Sequence, residues 1–113
     1  MLDICFSIKA PDIIEAFIVS GHGGISSNGS IAKNGNDILC AGVSALVQGA
    51  LIGLEHVAKV THEVIRKESG YLECKINMAE DEKAKVILNT LFLSLLNLEK
   101  QYPKNIKIKK VNL

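Results

Sequence analysis

Between Ile38 and Leu54 the chain is apolar at nearly every position, interrupted only by Ser44, Gln48 and three glycines. A run of this kind belongs in a protein core or in a bilayer. It falls short of the about 20 predominantly apolar residues of a comfortable membrane span, so a helix packed inside a protein is the expectation. Asn36 is a good N-cap, and Asp37 suits the first turn beside the positive end of the helix dipole. The pattern predicts a helix to about Ala58. Its middle is apolar almost all round, so it should be covered on more than one side, by a sheet and by another helix or subunit. Gly42, Ala45, Gly49 and Gly53 make a strip of small residues that would let a neighbour approach closely. Glycines weaken a helix, so packing must compensate.

The remaining elements follow from periodicity. Leu2, Ile4, Phe6 and Ile8 alternate with Asp3, Cys5, Ser7 and Lys9, the period of a half-buried strand. Pro11 and Asp12 make a turn, and Ile13 to Ser20 reads as the second strand of a hairpin. Val60 to Lys67 and Tyr71 to Ile76 read as strands joined by a tight turn at Glu68-Ser69-Gly70. Leu72, Cys74 and Ile76 share one face, which makes Cys74 a small core residue. Glu80, Asp81 and Glu82 crowd the first turn of a second helix, with an apolar stripe through Ala84, Ile87, Leu88, Leu91, Leu95 and Leu98. Pro103 ends it. Ile106 and Ile108 then alternate with Lys107 and Lys109 in a closing strand whose lysines guard a sheet edge. The order strand, strand, helix, strand, strand, helix, strand predicts an α/β (α+β) sandwich with a mixed sheet and two helices.

With 113 residues, no internal repeat and no linker, residues 1–113 should form a single domain. Trp is absent and aromatics make up 4%, so the core is aliphatic. A net charge of +1 gives no reason to expect direct nucleic-acid contact or a membrane partner. The N-terminus lacks the pattern of a secretory signal. Cys5, Cys40 and Cys74 are odd in number and widely spaced, which fits reduced thiols in a cytoplasmic protein.

Gly21 to Asn36 carries Gly at 21, 23, 24, 29 and 35 and no periodic pattern. A loop this long inside a small domain is functional or disordered. Lying between a well-formed strand and a well-formed helix, it reads as functional and mobile. Gly21-x-Gly23-x-x-Ser26 lacks the third glycine of a dinucleotide fingerprint, and no Gly-Lys-Ser/Thr follows, so nucleotide binding is not indicated. His22, Cys40, His56, His62 and Cys74 never pair at short ligand spacings, so neither a metal nor another cofactor is expected.

A thiol-dependent acyl-transfer site needs only a stabilised thiolate and a histidine within reach. Cys40 falls about four residues into the helix, where free N–H groups and the dipole favour the thiolate and could hold an oxyanion. His22 ends a strand at the mouth of the loop. Ser44 lies one turn beyond Cys40 and could serve the site or bond back to its own helix. On spacing alone, a buried structural thiol is the plainer reading of Cys40.

The wider pattern tips the balance. Gly21-His22-Gly23, Asp37-Ile38-Leu39-Cys40-Ala41-Gly42-Val43-Ser44-Ala45-Leu46, Gln48, Gly53-Leu54-Glu55, Gly70-Tyr71-Leu72 and Gln101-Tyr102-Pro103 together resemble the ribosomal-processing cysteine proteases of the Prp family. The resemblance implies that His22 and Cys40 are the catalytic pair, with Gly21, Gly23, Asp37 and Ser44 binding substrate or shaping the site. It also implies a cytoplasmic homodimer that removes the N-terminal extension of a large-subunit ribosomal protein, cutting after a hydrophobic, aromatic-ending sequence. In the mechanism expected from it, the Cys40 N–H and a neighbour hold the oxyanion, and Asp37 shapes the loop. Two features depart from the family: Gly23 stands where a small Ala is usual, and the loop between His22 and Cys40 is longer than usual. The alternatives are a non-catalytic peptide-binding or ribosome-assembly factor of the same fold, and a structural homodimer with an incidental thiol.

Overall fold

The computed structural model describes residues 1–21 and 37–112. In chain order the elements are β1 (Leu2–Ala10), β2 (Ile13–Gly21), α1 (Ile38–Gly53), β3 (His62–Glu68), β4 (Tyr71–Ile76), α2 (Glu82–Gln101) and β5 (Ile106–Asn112). They form a five-stranded sheet in the order β3-β4-β2-β1-β5. β1 pairs with β5 in parallel and every other neighbour is antiparallel, so the sheet is mixed as expected.

The strand order decides where the helices go. α1 carries the chain from β2 past β4 to the edge strand β3, and α2 carries it from β4 past β2 and β1 to the opposite edge. These two crossovers run in opposite directions between oppositely pointing strands. If both are right-handed, as such connections almost always are, both helices fall on the same face. Burial agrees. Leu2, Ile4, Phe6, Phe17, Cys74, Ile76, Ile106 and Ile108 share one core with Leu39, Val43 and Val47 of α1 and Leu88, Leu91 and Leu95 of α2. The alternating residues, such as Asp3, Lys9, Lys107 and Lys109, look out from the uncovered face and are exposed. Phe6 anchors the centre, fully buried and edge-on to Phe92 with ring centres 5.2 Å apart.

Some boundaries differ from the sequence reading, while the helix end expected near Ala58 holds with a change of helix type. Asp37, not Asn36, is the N-cap of α1, and Asn36 lies outside the described residues. After Gly53 the helix widens into one π turn, Leu54–Ala58, closed by Lys59 in the left-handed region at φ 59°. That exit uses up Val60, whose N–H bonds to the Leu54 carbonyl, so β3 starts at His62.

α1 is also covered less than its composition suggested. Leu39, Val43, Val47 and Ala50 are buried, whereas Ala41, Gly42, Ala45, Gly49 and Ile52 are exposed. Of the small-residue strip, Gly53 meets Ile87 of α2, while among the described residues nothing lies within 4 Å of a side chain built at Gly42 or Gly49. By length and composition, the 21 residues Ile38–Ala58 could cross a membrane, with mean hydropathy 1.8 over an 18-residue stretch.

Candidate active site

The first turn of α1 is organised by one carboxylate. Oδ1 of Asp37 accepts the N–H groups of Leu39 at 3.1 Å and Cys40 at 3.0 Å, the N-cap geometry that short polar side chains provide. Oδ2 accepts the Cys40 thiol at 2.8 Å. Asp-x-x-Cys is thus a local unit in which both carboxylate oxygens are used and the sulfur is held at the helix mouth. Two opposing fields act on that sulfur. The dipole and N–H groups of the first turn favour the thiolate, and the adjoining negative charge favours the thiol. The Cys40 N–H, expected at the oxyanion, is engaged by Asp37 in this state.

Cys40 opens into a cleft of about 440 Å³ between α1 and the β2–β4–β3 side of the sheet. Its walls are aliphatic, from Leu2, Val19, Val43, Val47, Leu51, Val64 and Leu72. Ser44, Gln48, Lys67, Glu68 and Tyr71 supply the polar lining. From Cys40 to Leu51 the cleft follows α1 for about 16 Å, at the usual 1.5 Å rise per residue, so it can receive four or five residues of extended peptide, at about 3.3 Å each.

Gly21 also lines the cleft, and its backbone disfavours any larger residue. Its φ is +93°, and a Cβ there would lie 2.1 Å from the Met1 carbonyl oxygen. Its N–H donates to the Gly70 carbonyl at 2.8 Å, fastening the end of β2 to the β3–β4 turn. His22, Gly23 and the loop to Asn36 lie outside the described residues. Ser44 is exposed and accepts from Gln48 Nε2 at 2.8 Å. It faces the cleft paired with Gln48 along its own helix.

The sequence reading missed Lys67, Glu68 and Tyr71, which β3 and β4 bring to the cleft; their neighbours Arg66 and Glu73 lie outside its lining. Tyr71 donates its hydroxyl to Glu73 at 3.1 Å, and the Arg66 guanidinium lies 4.6 Å from the Tyr71 ring centre. Arg66 also pairs with Glu68. Burial, followed by the hydrogen bond to Glu73, raises the Tyr71 pKa above 10.0. The α1 side of the cleft did have its signal: Cys40, Ser44 and Gln48 recur every four residues, one stripe of a helix. Elsewhere, Cys74 is fully buried, and that burial pushes its thiol above 9.0. It is a core residue, as its strand position indicated. His56 is exposed and His62 half-buried, and no His/Cys/Asp/Glu group fit for a metal occurs among the described residues.

Comparison with known proteins agrees with this picture. The ribosomal processing cysteine protease Prp of Staphylococcus aureus, matched in two strains, is 27% identical over 109 residues, covering 96% of this chain and 97% of the relative. A crystal structure of the S. aureus protease with a covalently linked product peptide superimposes with a TM-score of 0.86 at 21% identity, covering 98% of this chain and all of that one. The same protease with a substrate peptide gives 0.81 at 20% identity, covering 98% and 100%. A Streptococcus mutans protein gives 0.81 at 24%, covering 100% and 99%. These structural likenesses establish the fold. Residues 1–107 match the family described as Cysteine protease Prp, nearly the whole chain, and the chain therefore belongs to that family of cysteine proteases.

Proposed function

We propose that this chain is a cysteine endopeptidase that removes the N-terminal extension of a large-subunit ribosomal protein, with Cys40 as nucleophile and His22 as its base. The observation that carries the reading is the position of Cys40, in the first turn of α1 at the end of an apolar cleft sized for an extended peptide. His22 is joined by a peptide bond to Gly21, a residue of the same cleft. In the reaction, the Cys40 sulfur bonds to the scissile carbonyl carbon and its proton passes to His22. The imidazolium then returns that proton to the departing amine. Water, deprotonated by His22, attacks the thioester and frees Cys40. Asp37 holds the thiol in place before substrate arrives, and its release of the Cys40 N–H would make a donor available to the oxyanion.

The names of the S. aureus relatives support a ribosomal substrate, and one of their structures holds a substrate peptide; the N-terminal extension of a large-subunit protein is what the family resemblance implies. An aliphatic cleft suits hydrophobic residues beside the scissile bond. The chain acts as one domain in the cytoplasm, as a homodimer. The exposed strip Ala45 and Gly49, beside a second hollow of about 360 Å³ between α1 and α2, supports that pairing.

Incubation with the extended ribosomal precursor tests the proposal. Wild type should yield two fragments, and Cys40→Ala, Cys40→Ser and His22→Ala should yield none. Wild type that binds the precursor yet leaves it whole would make the chain a peptide-binding or ribosome-assembly factor instead.

A further inference from the structure

The fold divides the chain's charge into two poles. Residues 100–113 contain Lys100, Lys104, Lys107, Lys109 and Lys110 and no Asp or Glu. Residues 1–99 hold the other eight cationic side chains and all twelve acidic ones, a balance of −4 against +5. The near-neutral total, which gave no reason to expect a polyanion, is the sum of these opposites.

The basic pole spans the end of α2, the turn after it and both faces of β5, and it is available. Lys100 closes α2, Lys104 lies in the turn that follows, and Lys107 and Lys109 project from the uncovered face of the edge strand β5. All five are exposed, and no ion pair among the described residues uses them. Three neighbours temper the field. Asp3 is in register with Lys107, and Lys110 Nζ sits 4.2 Å from the Phe92 ring centre. Glu99 accepts the Ile108 N–H at 2.8 Å.

Position gives the pole its interest. Ile106 pairs with Leu2 and Leu2 with Gly21, and both Leu2 and Gly21 line the Cys40 cleft. The start of β5 is therefore two strands, about 10 Å, from the end of β2. Guarding a sheet edge accounts for Lys107 and Lys109. It does not account for Lys100 and Lys104, which lie off the strand, or for the lack of any acid over the same stretch.

We propose that this pole docks the phosphate backbone of RNA, so that a protein substrate bound to that RNA presents its free end to the Cys40 cleft. The second half rests on the proposed ribosomal substrate; the first does not. Lysines act on phosphates as point charges without reading sequence, and each contact releases counterions. Three or four such contacts predict a log affinity against log salt slope of about −2 to −3 for single-stranded RNA.

The test uses the full chain and a labelled, mixed-sequence RNA of about 20 nucleotides, with anisotropy read between about 50 and 200 mM salt. Binding with that slope is expected. A combined Lys104→Gln, Lys107→Gln and Lys109→Gln variant, which keeps the edge polar, should lose at least about tenfold in affinity and flatten the slope by about 2. Its melting temperature and its cleavage of the free extension peptide should match wild type. A control Lys59→Gln, Lys83→Gln variant should bind RNA as wild type does. Absent RNA binding at low salt, undiminished binding by the triple variant, or equal affinity for phosphatidylserine vesicles would overturn the proposal. RNA binding as described with no peptide cleavage by wild type would remove the protease reading and leave the RNA site standing. Cleavage without RNA binding would do the reverse.

Discussion

The Cys40 sulfur lies 2.8 Å from one carboxylate oxygen of Asp37, while the other oxygen caps the helix that carries Cys40. One side chain thus has two separable duties, restraining a thiol and terminating a helix.

Substitution at Asp37 should pull those duties apart. Asp37→Asn keeps a good cap and removes the charge beside the sulfur, so iodoacetamide labelling of Cys40 at neutral pH, followed by mass spectrometry, should be severalfold faster. The melting temperature should hardly move. Asp37→Ala should give the same gain in reactivity and lose about 1 kcal/mol of stability with the cap. Slower labelling of Asp37→Asn would show that the carboxylate activates the thiol instead.

Gly21→Ala combines a left-handed φ with a collision against the Met1 carbonyl. A loss of about 3 kcal/mol or more is expected in urea denaturation, together with lost peptide cleavage. Melting like that of wild type would mean that β1 and β2 can shift to accommodate the methyl group.

The outer strip of α1 offers the opposite case. Gly49 has open space around it, so Gly49→Ala should stabilise the isolated protomer by up to about 1 kcal/mol. Gly49→Trp should leave the protomer folded and shift sedimentation from dimer to monomer. A dimer that survives the tryptophan has its interface elsewhere.

How far these features could be read beforehand depended on how local their causes were. β4 follows from Tyr71-Leu72-Glu73-Cys74-Lys75-Ile76 because alternation is a property of neighbouring residues. The start of β1 is equally plain. The π turn at Leu54–Ala58 carries no such mark, since nothing in its residues sets it apart from the helix before it. The shared face of the two helices depends on which strands pair across the whole chain, and no local pattern encodes that. At the site, Cys40 at a helix mouth was legible from spacing, but the choice between Asn36 and Asp37 as cap was not, because both side chains cap equally well. The cleft became visible only once β3 and β4 lay beside α1.

Val64 tests the cleft without touching the core. It is 49% exposed and lines the wall opposite α1. Val64→Lys should change stability by less than about 0.5 kcal/mol, while raising KM for an apolar extension peptide roughly tenfold, by about 1.4 kcal/mol of lost apolar contact and added charge. An unchanged KM would move the peptide away from β3.

Alkaline pH should weaken the fold through Cys74. Burial, with Glu73 adding and Lys67 opposing, raises its folded-state pKa above 9.0. The folded form therefore holds the proton more tightly than the unfolded chain, and stability falls as pH rises past 9. Lys85 is raised by hydrogen bonds to Glu82 and Asp12, and its contribution is lost at still higher pH. Between pH 8 and 10 the melting temperature of wild type should fall further than that of Cys74→Ala. Equal falls would place the titration elsewhere.

The parallel pairing of β1 with β5 joins the first strand made to the last. Until Ile106–Asn112 has emerged, β1 offers a bare hydrogen-bonding edge, and the β1–β2 hairpin can only wait. Leu2, at the base of the Cys40 cleft, gains its Ile106 neighbour at that same late step. Leu2 thereby ties one wall of the cleft to a strand far away in sequence, so a disturbance of β5 is felt in the wall of the Cys40 cleft.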